Sequence, residues 1–259
     1  MRNITLFEEP DHRFVLLNES EPGEENGIPS NQFLVANRHA GVLLDPGGFG
    51  VMPGVLAELY DYLAPEAVAG IILSHQDPDI VGGLATWLDL TPATVYVSEI
   101  WLRFLPHYGL TSMERFVGLP DSGGTIEPVA GLELHMVPAH FLHSCGHFSV
   151  FDARSRIVLT VDIGAAMVAE GEGQGAFVTD FDAHRPYIEP FHRRYMACNR
   201  AARLWAERAA ALQPELIAPQ HGPVYSGPAV NDFLAWMAEL QCGADLMDAS
   251  GAFHSGDGR

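Results

Sequence analysis

Four times in this 259-residue chain an apolar, strand-forming run ends on a histidine or an aspartate. The runs are 68–74 (VAGIILS) before His75, 132–138 (LELHMVP) before the cluster opening at His140, 156–161 (RIVLTV) before Asp162, and 214–220 (PELIAPQ) before His221. An ionisable group at the end of a buried strand loses hydration and is tolerated only when it is paired, hydrogen-bonded or ligating. Strand ends are also where loops hold functional groups on a rigid scaffold. The fold must therefore bring several strand ends to places where these side chains find partners.

The first of the four is the most informative. His75-Gln76-Asp77-Pro78-Asp79 alternates potential donors, and alternate residues of an extended segment project to one side. A polar turn that caps the next helix, with Asp79 as N-cap, would need one carboxylate; this segment supplies two and a histidine. The second cluster is His140-Phe141-Leu142-His143-Ser144-Cys145-Gly146-His147, three histidines in eight residues, any of which a buried hydrogen bond would equally explain. Asp162 and His221 taken singly read the same two ways. Taken together, the four strand ends describe a metal site.

Composition narrows the function classes. All 14 cationic side chains are arginine, against 33 acidic ones, and the formal charge is −19. Nucleic acids and anionic membranes require a cationic face, so neither is expected as a partner. No apolar run approaches the roughly 18 residues of a membrane helix, and the opening MRNITLFEEPDH is too short in apolar residues for a signal-peptide core. Cys145, Cys198 and Cys242 are scattered and suggest no disulfide framework, which points to a reducing cytoplasm. Hydrophobic residues make up 47 %, enough to bury a sizeable core.

The periodicity predicts strands at 12–19, 32–45 (with a turn near 39–41), 68–74, 94–97, 132–138, 147–152, 156–161 and 215–218. It predicts helices at 51–63, 80–90, 98–107, 189–212 and 228–247. Strand-rich and helix-rich stretches occur twice, which suits two sheets packed together with helices outside, an α+β arrangement. We read one domain over 1–249 and a flexible tail over 250–259.

His-x-Asp-x-Asp, then His143, Asp162 and His221 in that order, resembles the metallo-β-lactamase superfamily, and the likeness runs over nearly the whole chain, including the opening hairpin that ends in Asp45-Pro46-Gly47. It implies a four-layer αβ/βα sandwich: two mixed β-sheets flanked by helices, with two metals at one edge. Hydrolases of that superfamily usually show His-x-His-x-Asp-His; here Asp77 takes the second place and Ile80 the last. A carboxylate in the second place resembles the flavodiiron proteins and the stand-alone oxygen-binding di-iron proteins, as do the Ala-His-Phe-Leu-His lead-in and the step from His143 to Asp162. The resemblance implies that His75, Asp77 and His143 bind one metal, that Asp79 and His221 bind the other, and that Asp162 bridges them. Flavodiiron proteins typically have Glu at the place of Asp77; the shorter Asp leaves ligation directly and ligation through water both open. His143 is preferred as ligand because His143-Ser-Cys-Gly-His147 is similar to the superfamily's His-x-x-Gly-His segment. His140 and His147 would then orient ligands or donate protons, with a hydrogen-bonded loop histidine the equal alternative for each. Tyr195 and His192 are speculative pocket residues, His147 and Tyr195 being those put forward as catalytic. Cys145 reads either as a residue that approaches the metals or, the stronger alternative, as a small buried loop residue, and Gly82-Gly83 reads as a device for starting the next helix close to the site.

Three histidines and three carboxylates leave two ferrous ions one positive charge in excess, which a bridging hydroxide balances. A carboxylate-rich donor set suits iron or manganese, although zinc occupies such sites readily. The expected cofactor is thus two irons (alternatively two zinc or manganese ions) bridged by Asp162 and an oxo or hydroxo group. No flavin-phosphate loop is visible, so no flavin is expected in this chain. The first functional reading is a non-haem di-iron protein that binds, reduces or senses O2 or NO, served by an external electron donor or signalling partner. The second is a di-zinc hydrolase acting on a lactone, thioester or phosphoester through a metal-bridging hydroxide. A homodimer is what the resemblance implies.

Overall fold

A computed structural model describes residues 3–17, 29–110, 113–166 and 177–254. The chain divides into two compact units, Met1–Met136 with Asp152–Ser155 and Val137–Phe151 with Arg156–Arg259. Positions 18–19 of the first expected strand and 255–259 of the expected tail lie outside the described residues.

In chain order the strands of the first sheet are β1 (Ile4–Glu9), β2 (His12–Leu17), β3 (Gln32–Ala36), β4 (Gly41–Leu44), β5 (Val68–Ile72), β6 (Thr94–Ser98) and β7 (Phe116–Leu119), and they lie side by side in that same order. Pairing is antiparallel from β1 to β4 and parallel from β4 to β7. Strands β3 and β4 are buried throughout and β5 nearly so. Parallel strands covered on both faces read as continuous apolar runs, which explains why VAGII and GVLL show no alternation. Helices α1 (Met52–Leu59), α2 (Pro78–Val81) and α3 (Leu84–Leu90) belong to this unit. The guanidinium of Arg115 closes the end of α3 by donating to the carbonyls of Leu88, Thr91 and Ala93 at 2.7–3.0 Å. His12 meets Asp152 at 2.6 Å in the interior, and Ser155 donates to the same carboxylate oxygen.

The second sheet uses β8 (Gly124–Val129), β9 (Leu132–Pro138), β10 (Phe148–Asp152), β11 (Ile157–Val161), β12 (Phe177–Val178), β13 (Leu216–Pro219) and β14 (Val224–Ser226), in the order β12-β14-β13-β11-β10-β9-β8. It is also mixed, β11–β13 parallel and β13–β14 antiparallel. Helices α4 (Phe181–Tyr195), α5 (Asn199–Ala211) and α6 (Pro228–Glu239) bury Phe181, His184, Ile188 and Phe191, then Ala202, Trp205, Ala206 and Ala209, then Ala229, Val230, Phe233, Leu234 and Met237. Each set follows a helical face. Two mixed sheets flanked by helices is the expected class.

Four expected helices differ. The 189–212 helix is two, because Met196 is fully buried in extended backbone and the peptide at Ala197 is spent on tertiary bonds, Ala197 N to Phe141 O and Ala244 N to Ala197 O. Helix α4 begins at Phe181 despite Pro186 and Pro190; its buried face outweighs the proline cost, and Asp180 caps it by accepting from Ala183 N. The 98–107 helix is two 3₁₀ turns, since of these residues only Ser98 and Leu105 are buried and no apolar stripe exists. The 228–247 helix ends at Glu239, where the Asn199 side chain donates to the carbonyls of Ala238 and Leu240, and a 3₁₀ turn follows. Beyond it, Asp248 gathers Ser250 and His254, and Phe253 lies under the Arg194 guanidinium.

The 80–90 helix is broken at Gly82-Gly83, and there the fold bears on the site. Gly83 N donates to Gly47 O at 3.2 Å, and a Cβ at Gly83 would stand 2.9 Å from that oxygen. The φ of Gly83 is −84°, so alanine fits the backbone, and what opposes it is this contact together with Met52 Cβ at 3.2 Å and Gly48 O at 3.3 Å. Gly83→Ala is expected to destabilise the protein by about 1–3 kcal/mol, as overpacking does. Calorimetry should read this as a fall of roughly 2–4 °C per kcal/mol in the melting midpoint.

Candidate metal centre

The first unit presents His75 and Asp77 on the loop after β5 and Asp79 in the first turn of α2. Asp45 fixes that loop at its root: it is buried, has φ +49°, and its Oδ1 accepts from Ser74 N at 2.8 Å. The Ser74 hydroxyl meets His75 Nδ1 at 3.0 Å, which leaves Nε2 on the side of Asp77, 3.5 Å from Asp77 Oδ2. Asp77 is the N-cap residue of α2, yet its side chain makes no capping bond. Its Oδ1 instead accepts from the Gln76 side chain at 2.9 Å. Asp79 stands in the first turn of α2 rather than at the cap. The capping explanation of this segment therefore fails for both carboxylates. Tyr108 closes the loop from outside by donating to Gln76 O at 2.7 Å; burial, then the Asp77 charge, push its phenol above the usual range.

The second unit presents His143, Asp162 and His221. Asp162 follows Val161, a β-branched residue at φ +58°, where the pairing of β11 with β13 shifts register. A positive φ at such a residue is a strained position, and a bulge at a strand end re-aims the next side chain. The result is that Asp162 Oδ2 lies 3.2 Å from His143 Nε2 and Asp162 Oδ1 lies 3.5 Å from His221 Nε2. Two donors about 2.1 Å from one ion and at right angles to each other are about 3.0 Å apart, so both spacings suit ligands that share a metal. A carboxylate with one oxygen toward each of two imidazoles has the layout of a bridge between two ions. The chemistry of the donors and this division of the oxygens fit a dinuclear centre.

Around these residues, His147 is fully buried and its Nδ1 bonds to Leu142 O, the carbonyl directly before His143. His140 packs edge-on against Phe148. Tyr195 is exposed, stacks on Phe191 at 4.7 Å and presents an edge to the His143 ring at 6.3 Å. Cys145 is exposed, not a small buried residue, because the 140–147 loop turns it outward between buried Ser144 and Gly146. The sequence reading did not single out Asp45 or Tyr225. Asp45 had a signal, a carboxylate at the end of an apolar strand, that was spent on the turn. Ile80, where the hydrolases have a histidine, is fully buried and brings no donor.

The sequence model of the family described as "ODP family beta lactamase" matches residues 28–222. A solved structure titled "Peroxy diiron species of chemotaxis sensor ODP" is 39 % identical, with 95 % of this chain and 97 % of that one covered and a TM-score of 0.84. A mutant of the flavo di-iron protein from Thermotoga maritima shares the fold at 18 % identity, covering 91 % of this chain and 60 % of that one, with a TM-score of 0.74. A "Putative diflavin flavoprotein A 2" of Nostoc sp. strain PCC 7120 is 32 % identical over 143 residues, which are 55 % of this chain and 24 % of that protein. The match thus spans about a quarter of the curated relative's length. Among the described residues no helix is long and apolar enough to cross a membrane.

Two further histidines of the second unit are buried, and burial pushes His184 and His192 down to about 4. Their folded-state pKa lies below the ordinary value of 6.5, so the unfolded chain binds more protons between these limits. The stability they contribute is complete above pH 6.5 and lost as the pH falls toward 4. Metal-free protein is expected to melt at lower temperature across that window and His184→Gln to lose less, the two curves separating by about 5 °C at pH 4. Parallel curves would show that His184 titrates normally.

Proposed function

Because the chain belongs to the family described as ODP family beta lactamase, we propose that it is a non-haem di-iron protein that binds O2 or NO and reports their presence. In this reading His75, Asp77 and His143 hold one iron, Asp79 and His221 hold the other, and Asp162 bridges them. Both units then work as one metallo-β-lactamase-like domain. The observation that carries the reading is the division of the Asp162 carboxylate between His143 and His221. The likeness to a chemotaxis sensor along almost the full length of both chains favours sensing over sustained turnover.

An iron pair held by these residues would supply the redox chemistry for binding O2 or NO. The protein's own residues set the conditions for that. Ser74 holds His75 by Nδ1, which fixes the ring orientation and aims Nε2. His147, through Leu142 O, steadies the backbone that carries His143 and acts as an orienting residue. Phe191 and the stacked Tyr195 flank the His143 ring. Three carboxylates and three neutral imidazoles favour iron or manganese over a sulfur-loving metal. Buried Ile80 at the place of a hydrolase histidine argues against the di-zinc alternative. In this reading electrons or the output signal pass to an external partner, and the iron pair needs no flavin within these residues.

Metal analysis of protein purified without air, from cells given both iron and zinc, is expected to find about two irons per chain, and exposure to O2 to raise a new near-ultraviolet to visible charge-transfer band. Asp162→Ala should retain at most about one iron and lose the band, a larger defect than Asp77→Ala. Two zincs, no band and turnover of a simple lactone or ester would replace this reading with the hydrolase.

A further inference from the structure

The turn from Thr160 to Ala166 carries Asp162 and is bonded peptide by peptide. Ile163 N donates to Thr160 O, Ala165 N to Asp162 O and Ala166 N to His221 O, while the Thr160 hydroxyl donates to Ile163 O. Both peptide groups of Gly164 are held by side chains from outside the turn. Its carbonyl accepts from the Tyr225 hydroxyl at 2.9 Å, and its amide donates to His192 Nε2 at 2.8 Å. Gly164 has φ +97°, and a Cβ there would stand 3.1 Å from the Tyr225 ring and 3.3 Å from Phe233. The residue is glycine because its φ is one that L side chains rarely adopt and because Tyr225 and Phe233 stand against the place of a Cβ.

His192 is built for this bond. It is fully buried on α4, and its Nδ1 lies 2.7 Å from Ile188 O. A carbonyl can only accept, so Nδ1 carries the proton and Nε2 presents a lone pair to the Gly164 amide. Edge-to-face contacts with Trp236 at 5.4 Å and Phe233 at 6.5 Å fix the ring. A carboxylate in its place would bring a second negative charge near Asp162. Burial also keeps the ring neutral, with its pKa pushed down to about 4, so the acceptor is available at neutral pH.

We propose that His192 is a positioning residue for the centre: by accepting the Gly164 amide it sets the turn that places the Asp162 carboxylate between His143 and His221. This rests on the reading of Asp162 as a metal ligand. His192 itself touches neither metal nor substrate and acts only through the turn.

The test compares full-length wild type, His192→Met and His192→Gln in two measurements. Hydrogen–deuterium exchange of the metal-free proteins reads the 160–166 segment, and titration with Co(II) followed by its visible spectrum reads the two metal affinities. His192→Met, similar in bulk but a poor acceptor, should speed exchange in that segment about tenfold and weaken at least one Co(II) affinity about 10- to 100-fold, the usual penalty for losing a residue that orients a ligand. In His192→Gln, whose Oε1 reaches the position of Nε2, both should return to within about threefold of wild type. A role in packing alone predicts the opposite ranking, with Met tolerated and Gln not. Unchanged exchange and affinity in His192→Met, or a Gln variant as impaired as Met, overturns the proposal. Wild-type protein that takes up no Co(II) overturns the metal reading instead, and the exchange comparison, made without metal, still decides for or against His192 as the holder of the turn.

Discussion

A buried carboxylate at the end of a buried strand has to be aimed, and the second unit aims Asp162 by bending the main chain out of β geometry at Val161. A β-branched residue at φ +58° costs on the order of 1–3 kcal/mol and persists only where its surroundings over-determine it. Those surroundings are visible. Gln220 N donates to Val161 O at 2.7 Å, Ala166 N donates to His221 O at 3.0 Å, and the Thr160 hydroxyl closes the turn on itself. The same bonds therefore hold Asp162 and His221 together. Loss of the bend would move both side chains, and the division of the carboxylate between two imidazoles would go with it.

The first unit solves the corresponding problem with a side chain. Asp45 sits at the end of β4 with φ +49° and uses Oδ1 to hold the amide of Ser74, at the end of the neighbouring β5. Ser74 then holds His75. Below this, the Gly47-Gly48 loop packs on the backbone of α2 so closely that Gly48 and Gly83 have no room for a side chain without displacement. Strand pairing sets the place of the loop, one carboxylate sets its height, and the glycines set its distance. Each is a local contact between chain neighbours in the sheet, which is why a short motif can carry so much of the site.

What the sequence made legible follows from the range of the interactions. His75, Asp77 and Asp79 declare themselves because alternation along an extended loop is a local property, and Asp162 and His221 because an ionisable residue after an apolar run is unusual wherever it occurs. The two sheets were legible for the same reason: runs such as VAGII and IVLTV have no other comfortable place. Helix ends were not. Nothing near Met196 marks a break, which is forced by Phe141 and Ala244 taking the Ala197 peptide from positions far along the chain. Nor is Phe181 marked as a start, since Pro186 and Pro190 argue locally against the helix that burial imposes. His192 and Tyr225 stayed indistinct because their partner is the backbone of Gly164, which has no side chain to pattern against.

The absence of lysine and the wealth of histidine are two sides of one arrangement. Among the described residues, arginines 13, 38, 154, 156, 185 and 193 pair with surface carboxylates, where such pairs contribute about 0–1 kcal/mol and chiefly keep the acidic exterior tolerable. The interior takes its polar contacts from imidazole instead. A neutral histidine donates from one nitrogen and accepts at the other, so His192 can tie the turn of Asp162 to α4 without adding charge. An arginine or lysine there would neutralise the carboxylate and compete with a metal for it; an aspartate would repel it. If Asp162 is the bridging ligand we propose, imidazole fixes its position and leaves its negative charge for the ions, as a centre of three carboxylates and three neutral donors would require.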